Sequence, residues 1–281
     1  MSLPRRTGHY VVSTHWDREW YESFQDYRYR LVNMFDEVLD TMKKHPEFRY
    51  FQTDGQSILI EDYLEVRPER ADEIHCLARE GRLRIGPWYV LPDEFLVSGE
   101  SIIRNIQLGI AVAAQYGDVS AGSRAGFLCD LFGHTSQLPQ LLRGFGIDNA
   151  LLWRGCNEST HGALFRWRGA DGSEVLAYRF SPHGGYCSWA FKVRHGIEID
   201  RPIDMAEAPA HAREVIVGAE AGGAAHGSEP RRPSTRAPTG IVARWPTRRT
   251  CTSGCRSTTR KKPAPGCSTS PSSPAAGRAS S

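Results

Sequence analysis

A histidine and an aspartate two residues apart are the first groups in this chain that could do chemistry. His15 and Asp17 follow the apolar pair Val11 and Val12, at the end of a predicted strand. Side chains at positions i and i+2 of an extended backbone point to the same face, so the imidazole and the carboxylate can converge. The pair could bind a metal or transfer a proton. Alternatively, the histidine donates to a backbone carbonyl and the aspartate caps the next helix.

Aromatic residues and a second carboxylate add to this pair. Trp20 lies close to it in sequence, among further aromatic residues, and aromatic faces pack against the C–H face of a pyranose. Asp130 follows an apolar run, residues 127–129, and therefore stands at the end of another predicted strand. With His15 and Asp17 it would supply one nitrogen and two oxygens, a suitable donor set for zinc. Taken alone, Asp130 could equally be a helix N-cap.

Short apolar runs alternate with amphipathic ones from residue 8 to about 180, which predicts strands that alternate with helices. The predicted strands are 9–14, 48–52, 83–88, 125–130, 149–153 and 174–180. The predicted helices are 22–44, 56–80 with an interruption at Pro68, 99–116, 136–145 and 204–221. This order predicts an α/β fold whose sheet is mainly parallel, incomplete, and either open or closed into a distorted β/α barrel.

Each predicted strand runs into polar residues. They are His15 and Asp17, Gln52 and Asp54, Asp93 and Glu94, Asp130 and His134, Arg154, and His183. Catalytic groups of α/β folds collect at the carboxyl ends of strands, so we expect these side chains at one edge of the sheet. Asp93 and Glu94 are interpreted as turn or cap residues, and His134 and His183 as hydrogen-bonded groups that bind no metal.

The charge of the chain is divided between two regions. Residues 229–281 contain 11 Lys and Arg and one acid, a net charge of +10, whereas the first 228 residues carry −7. This C-terminal segment has almost no aliphatic residues, so it is predicted to be a disordered basic tail. It could bind nucleic acid, but no regular spacing supports a specific module. A shifted reading frame in a GC-rich gene is the favoured hypothesis.

Apolar runs and cysteines bear on the compartment. No run of 18 apolar residues occurs, and the basic N-terminus leads into no apolar segment, so we expect neither membrane insertion nor export. The seven cysteines are an odd number, and four of them lie far apart in regular segments. Reduced thiols in the cytoplasm are the expectation.

Five motifs in sequence order resemble glycoside hydrolase family 38, the zinc-dependent retaining α-mannosidases. They lie at residues 15–21, 86–93, 99–105, 130–134 and 153–155. The resemblance covers about residues 8–228, the N-terminal part of the catalytic domain. Asp-Gly-Gln at 54–56 and the segment 181–186 are most similar to the bacterial branch, which includes 2-O-mannosylglycerate hydrolases.

The resemblance implies a role for five residues. His15, Asp17 and Asp130 would bind Zn²⁺, and Asp130 would also attack the anomeric carbon of an α-mannoside. Trp20 would carry the sugar ring, and Arg154 would orient the nucleophile and the sugar. Zinc would hold the mannose 2- and 3-hydroxyls, and a second carboxyl would protonate the leaving oxygen.

The match ends before the fourth zinc ligand of the family, a histidine, and provides no general acid. The chain is therefore expected to be a truncated part of a longer hydrolase. Two alternatives remain open from the residues. One is a zinc-dependent deacetylase or amidohydrolase, which also uses histidine and aspartate ligands. The other is a fragment that binds sugar or metal without catalysis.

Overall fold

The computed structural model describes residues 12–119, 125–156, 162–180, 185–193 and 204–224. The helices are α1 (Phe24–Lys44), α2 (Ile58–Leu64), α3 (Ala71–Arg79), α4 (Gly99–Gln115), α5 (Leu138–Gly144) and α6 (Ala208–Ala224). The strands are β1 (Val12–Ser13), β2 (Phe51–Gln52), β3 (Leu83–Arg84), β4 (Gly126–Leu128), β5 (Asn149–Leu152), β6 (Leu164–Arg168) and β7 (Glu174–Arg179). Short 3-10 turns occupy Pro68–Arg70 and Gly185–Cys187, and a π-helical turn occupies Trp189–Val193.

The strands form two sheets. β1, β2 and β3 lie side by side in that order and are parallel, with Ser13 opposite Gln52. The second sheet has the order β4-β5-β7-β6 and is parallel except at β6, which runs antiparallel to β7. Neither sheet closes within the described residues. The predicted α/β fold with an open, mainly parallel sheet is confirmed, and it is divided into two sheets.

Apolar spacing along α1 builds the first core. The buried residues Leu31, Phe35, Leu39 and Met42 recur every three or four positions, so they share one face of the helix. Ser23 caps the helix by accepting a hydrogen bond from the Asp26 amide. This face packs against residues of the first sheet, of α2 and of α3.

A second core joins α4 and α5 to the second sheet. Ile106, Leu142 and Leu152 are fully buried there. Trp88, which follows β3 in the chain, is also fully buried in this core, and its indole donates to the carbonyl of Phe127 in β4 at 3.0 Å. That hydrogen bond ties the loop after β3 to the second sheet.

β6 is absent from the predicted strands, because Arg166 and Arg168 break the apolar signal of an edge strand whose outer positions are exposed. Several strands are also shorter than predicted. β3 ends at Arg84, and a left-handed Gly86 and a cis Pro87 follow it. Residues 9–11 of the first predicted strand and the predicted tail, 229–281, lie outside the described residues.

Candidate active site

The loops after β1 and β2 meet at His15. Ser13 pairs with Gln52, so the same register sets His15 beside Asp54 two residues farther on. His15 Nδ1 lies 3.0 Å from Asp54 Oδ2. The same oxygen accepts hydrogen bonds from the Trp16 amide at 2.8 Å and from Gln56 Nε2 at 3.2 Å. Asp54 is completely buried, so this carboxylate fixes the imidazole ring from inside the protein.

An unusual backbone turn places Asp54. Its φ is 56°, in the left-handed region that aspartate tolerates better than most residues, and Gly55 follows with φ 71°. A Cβ atom on Gly55 would lie 2.8 Å from the Phe127 Cβ. Glycine is therefore required for the loop after β2 to approach β4.

The other side of the His15 ring faces two carboxylates. Nε2 lies 3.0 Å from Asp130 Oδ2 and 3.5 Å from Asp17 Oδ2. Although it is buried, Nε2 makes no hydrogen bond of good geometry within the described residues. The structure thus brings the predicted donor set together: one nitrogen and two carboxylates.

Neither aspartate is a helix cap. Ser23 caps α1, and Gln137 precedes α5, so the alternative interpretations of Asp17 and Asp130 as N-caps are wrong. Both carboxylates instead stand at the carboxyl ends of parallel strands, where the alternation of strands and helices predicts them.

Charge is concentrated around His15. Burial lowers its pKa, but contacts with Asp130, Asp17 and Asp54 raise it to about 12. Partial burial raises the pKa of Asp130, but the contact with His15, the charge of Arg154 and the Tyr186 hydroxyl together hold this pKa below its ordinary value. Without a metal, the site therefore holds an imidazolium among carboxylates, and Asp130 is ionised.

Arg154 follows β5 and pairs with Asp130. Its Nε lies 2.9 Å from Asp130 Oδ1. The guanidinium also lies over two aromatic rings, 4.8 Å from the centre of Trp153 and 5.1 Å from that of Phe132. Stacking and pairing together leave the guanidinium little freedom, so it can orient the carboxylate as the resemblance implies.

Tyr186 also belongs to the site, although the sequence candidates do not include it. Its ring centre lies 4.9 Å from that of His15 and 5.2 Å from that of Trp153. Burial is the main reason that the pKa of its hydroxyl is raised, and the nearby Asp130 raises it further. The segment 181–186, which is most similar to the bacterial branch, is the sequence signal that points to it.

Glu94 and His134 hold loops rather than substrate. Glu94 is buried and accepts hydrogen bonds from His134 Nδ1 at 2.8 Å and from the Thr135 amide at 2.7 Å. His134 Nε2 lies 3.0 Å from the Arg154 carbonyl oxygen. The interpretation of both as structural groups therefore agrees with the structure. Asp93 accepts a long hydrogen bond from the Phe132 amide at 3.4 Å, and His183 lies outside the described residues.

Trp20 lies in the loop that carries His15 and Asp17. It is 65% exposed and stacks on Tyr21, with ring centres 3.9 Å apart. A sugar platform requires an exposed aromatic ring, and Trp20 meets this requirement.

Comparison with known proteins places this site in a family. Residues 6–217 match the sequence profile of the glycosyl hydrolases family 38 N-terminal domain. The chain belongs to family 38. The match includes all five candidate residues.

Relatives of this family 38 chain include α-mannosidases. A protein of Halalkalibacterium halodurans, provisionally assigned as a mannosylglycerate hydrolase, is 39% identical over 61% of this chain and 20% of its own length. The α-mannosidase of Saccharomyces cerevisiae is 28% identical over 60% of this chain and 16% of its own. The crystal structure of an α-mannosidase from Enterococcus faecalis V583 superimposes with a TM-score of 0.66 and 31% identity, covering 76% of this chain and 23% of that one. The family 38 chain thus spans about a fifth of the length of these relatives.

Membership in family 38 favours the glycosidase interpretation over the deacetylase alternative. Within the described part of the chain, no group of three or more His, Cys, Asp or Glu side chains has the full geometry of a metal site. No helix among the described residues is long and apolar enough to cross a membrane.

Proposed function

We propose that this chain is the N-terminal part of a retaining, zinc-assisted α-mannosidase that acts on terminal α-mannosides. The position of Asp130 carries the proposal. Its carboxylate is partly exposed, is held ionised, and lies between Arg154 on one oxygen and His15 on the other. A carboxylate in that state is the nucleophile that a retaining glycosidase needs.

Two of the separations between the proposed donor atoms match those of zinc ligands. Two ligands about 2.1 Å from a tetrahedral zinc ion lie about 3.4 Å apart. The separations of 3.0 Å and 3.5 Å between His15 Nε2 and the oxygens of Asp130 and Asp17 are close to that distance. The buried Nε2 without a hydrogen bond points to the same position. When bound by these three residues, zinc would act as a Lewis acid that holds neighbouring sugar hydroxyls.

The reaction follows from the placement of the side chains. The Asp130 carboxylate would attack the anomeric carbon while the bond to the leaving oxygen breaks, which gives a covalent glycosyl ester. A second carboxyl, which is not assigned among the described residues, would protonate the leaving oxygen and then activate water. Water then cleaves this ester, so the configuration is retained. Arg154 holds the attacking carboxylate in orientation, and the Tyr186 ring packs beside His15. The exposed face of Trp20 supports the sugar ring.

The proposed enzyme belongs to mannose metabolism and to the cytoplasm, and its cysteines support this compartment. Cys129, Cys156 and Cys187 are free thiols. Free thiols are typical of a reducing compartment. Because one relative is assigned to mannosylglycerate, 2-O-α-mannosylglycerate is the first natural substrate to test.

Covalent trapping tests the proposal on the chain itself. The probe is 5-fluoro-α-mannosyl fluoride, because fluoride leaves without protonation and the reaction therefore needs no general acid. We expect the zinc-loaded chain to gain one sugar on the peptide that contains Asp130, as read by mass spectrometry. Asp130→Asn should abolish the label, whereas the exposed control Asp148→Asn should keep it.

Two results would overturn the proposal. Equal labelling of the wild type and Asp130→Asn would remove Asp130 from the nucleophile role. Absence of label from the zinc-loaded wild type would leave the non-catalytic fragment as the function of this chain.

A further inference from the structure

The carboxyl group of Asp54 is buried and takes no part in the reaction itself; burial raises its pKa, a rise that the contacts with His15, Trp16 and Gln56 oppose. It is fully buried, and its three donors, His15 Nδ1, the Trp16 amide and Gln56 Nε2, all bind Oδ2. A carboxylate removed from water is costly unless it is paired, and a left-handed aspartate adds backbone strain. A turn that combines both costs calls for a role beyond packing.

The role follows from the two nitrogens of His15. When Nε2, which faces Asp130 and Asp17, binds zinc, Nδ1 would keep its proton and donate it to Asp54. Histidines that bind a metal commonly donate their second N–H to a carboxylate, which fixes the ring and makes it a stronger ligand. The arrangement of Asp54 and His15 has this form.

Gln56 prevents Asp54 from adjusting. Its Nε2 also donates to the Trp16 carbonyl at 2.8 Å, and its Oε1 accepts from the Leu91 amide at 3.0 Å. The side chain therefore ties together the loops that follow β1, β2 and β3. Each residue of Asp-Gly-Gln has a part: Asp54 holds the ring, Gly55 permits the close approach to Phe127, and Gln56 locks the loops.

We propose that Asp54 is a positioning residue that orients His15 for zinc and strengthens it as a ligand. This inference rests on the proposed zinc-assisted function, and it names the residue outside the ligand set that makes the site bind tightly. It gives the Asp-Gly-Gln motif a physical role that its position in the sequence alone does not indicate.

Zinc affinity of the full 281-residue chain tests the inference. Affinity is measured by competition with a chromophoric chelator, and folding of each metal-free variant is checked by circular dichroism. Asp54→Asn and Asp54→Gly should each bind zinc about ten- to a hundredfold more weakly. Glycine adopts a left-handed φ without strain, so the second variant keeps the turn if asparagine does not. The control is Asp118→Asn, another buried carboxylate, which accepts from the Ile85 amide and should change affinity less than about twofold.

A spectroscopic signature separates orientation of the ring from general stability. In the zinc-loaded wild type we expect a downfield imidazole proton from Nδ1–H of His15, absent in His15→Gln and in both Asp54 variants but present in Asp118→Asn. Unchanged affinity in folded Asp54 variants would overturn the inference and leave the zinc site standing. A wild type that binds zinc no better than His15→Gln would overturn the zinc site and the inference together.

Discussion

The two sheets hold their functional side chains in different ways. Beside the first sheet, His15 is fixed by a hydrogen bond to a completely buried Asp54. Beside the second sheet, the side chains of Asp130 and Arg154 are 20% and 43% exposed, and a charge pair with aromatic stacking holds them. A metal ligand benefits from rigid support inside the protein, whereas a nucleophile must stay open to substrate. The difference separates the proposed metal-binding half of the site from its reacting half.

The two halves depend on each other at one contact. His15 Nε2 and Asp130 Oδ2, which belong to different sheets, lie 3.0 Å apart. Each sheet also has its own core, and the hydrogen bond from Trp88 to Phe127 ties the loop after β3 to β4. A residue of one half can therefore be substituted and the effect on the other half measured.

The largest expected effect comes from the reacting half. Arg154→Met removes the partner of Asp130 Oδ1 but keeps an apolar side chain against Trp153. We expect covalent labelling to slow roughly a thousandfold, in line with the loss of a charged group that orients a reacting carboxylate. Zinc affinity should change less than about threefold, since Arg154 is not a ligand. Arg166→Met, at an exposed edge position paired with Glu174, is the control. Equal losses of labelling and zinc affinity would show that the halves are not separable.

Substitutions in the two cores test whether the two sheets unfold together. Leu39 and Leu142 are both fully buried, one in each core. Leu39→Ala and Leu142→Ala should each lower the free energy of unfolding by about 3 kcal/mol through lost burial and a residual cavity. If the cores fold as one unit, thermal unfolding of either variant stays a single transition at a lower Tm. Two transitions, with only one displaced in each variant, would mean that the sheets unfold independently.

Local patterns predicted most of the fold but only part of the site. The helical period of α1 and the break at Pro68 are local properties, so the sequence reports them directly. In the antiparallel edge strand β6, exposed arginines alternate with Phe165 and Trp167, so it lacks the continuous apolar run of the predicted strands. Strand lengths were overestimated, because hydrophobic runs continue beyond the paired residues of β3.

His15, Asp17 and Asp130 are brought together as the strand ends predict. The same pattern places Asp54 at this edge but does not predict its contact with His15, and it does not include Tyr186. The burial of Asp54 and its contact with His15 depend on the pairing of Ser13 with Gln52, which joins segments 39 residues apart in sequence. The position of Tyr186 depends on the chain that follows β7. The pairing of distant strands determines the contacts of Asp54, and residue spacing along the chain does not reveal them.

Zinc affinity should depend on pH, because zinc and a proton compete for His15 in the half of the site beside the first sheet. The raised pKa of His15, about 12, means that its imidazolium stabilises the metal-free fold fully below pH 6.5 and that this contribution is lost as the pH rises towards 12. Zinc must displace that proton, so affinity should rise about tenfold per pH unit between pH 6 and 8. Chelator competition across this range measures it, with the exposed His45→Gln as control. A flat profile would mean that His15 is already neutral in the metal-free chain.

The smallest expected effect tests whether the first half also contacts sugar. Trp20 is 65% exposed, so Trp20→Ala should leave the Tm unchanged. Loss of the aromatic platform should raise the concentration of fluoride probe needed for half-maximal labelling about fivefold, with the maximal rate retained. Tyr29→Ala, which removes a 71% exposed ring from α1, should change neither quantity. A lower maximal rate with an unchanged half-maximal concentration would place Trp20 in the reacting half and remove the division of labour between the two sheets.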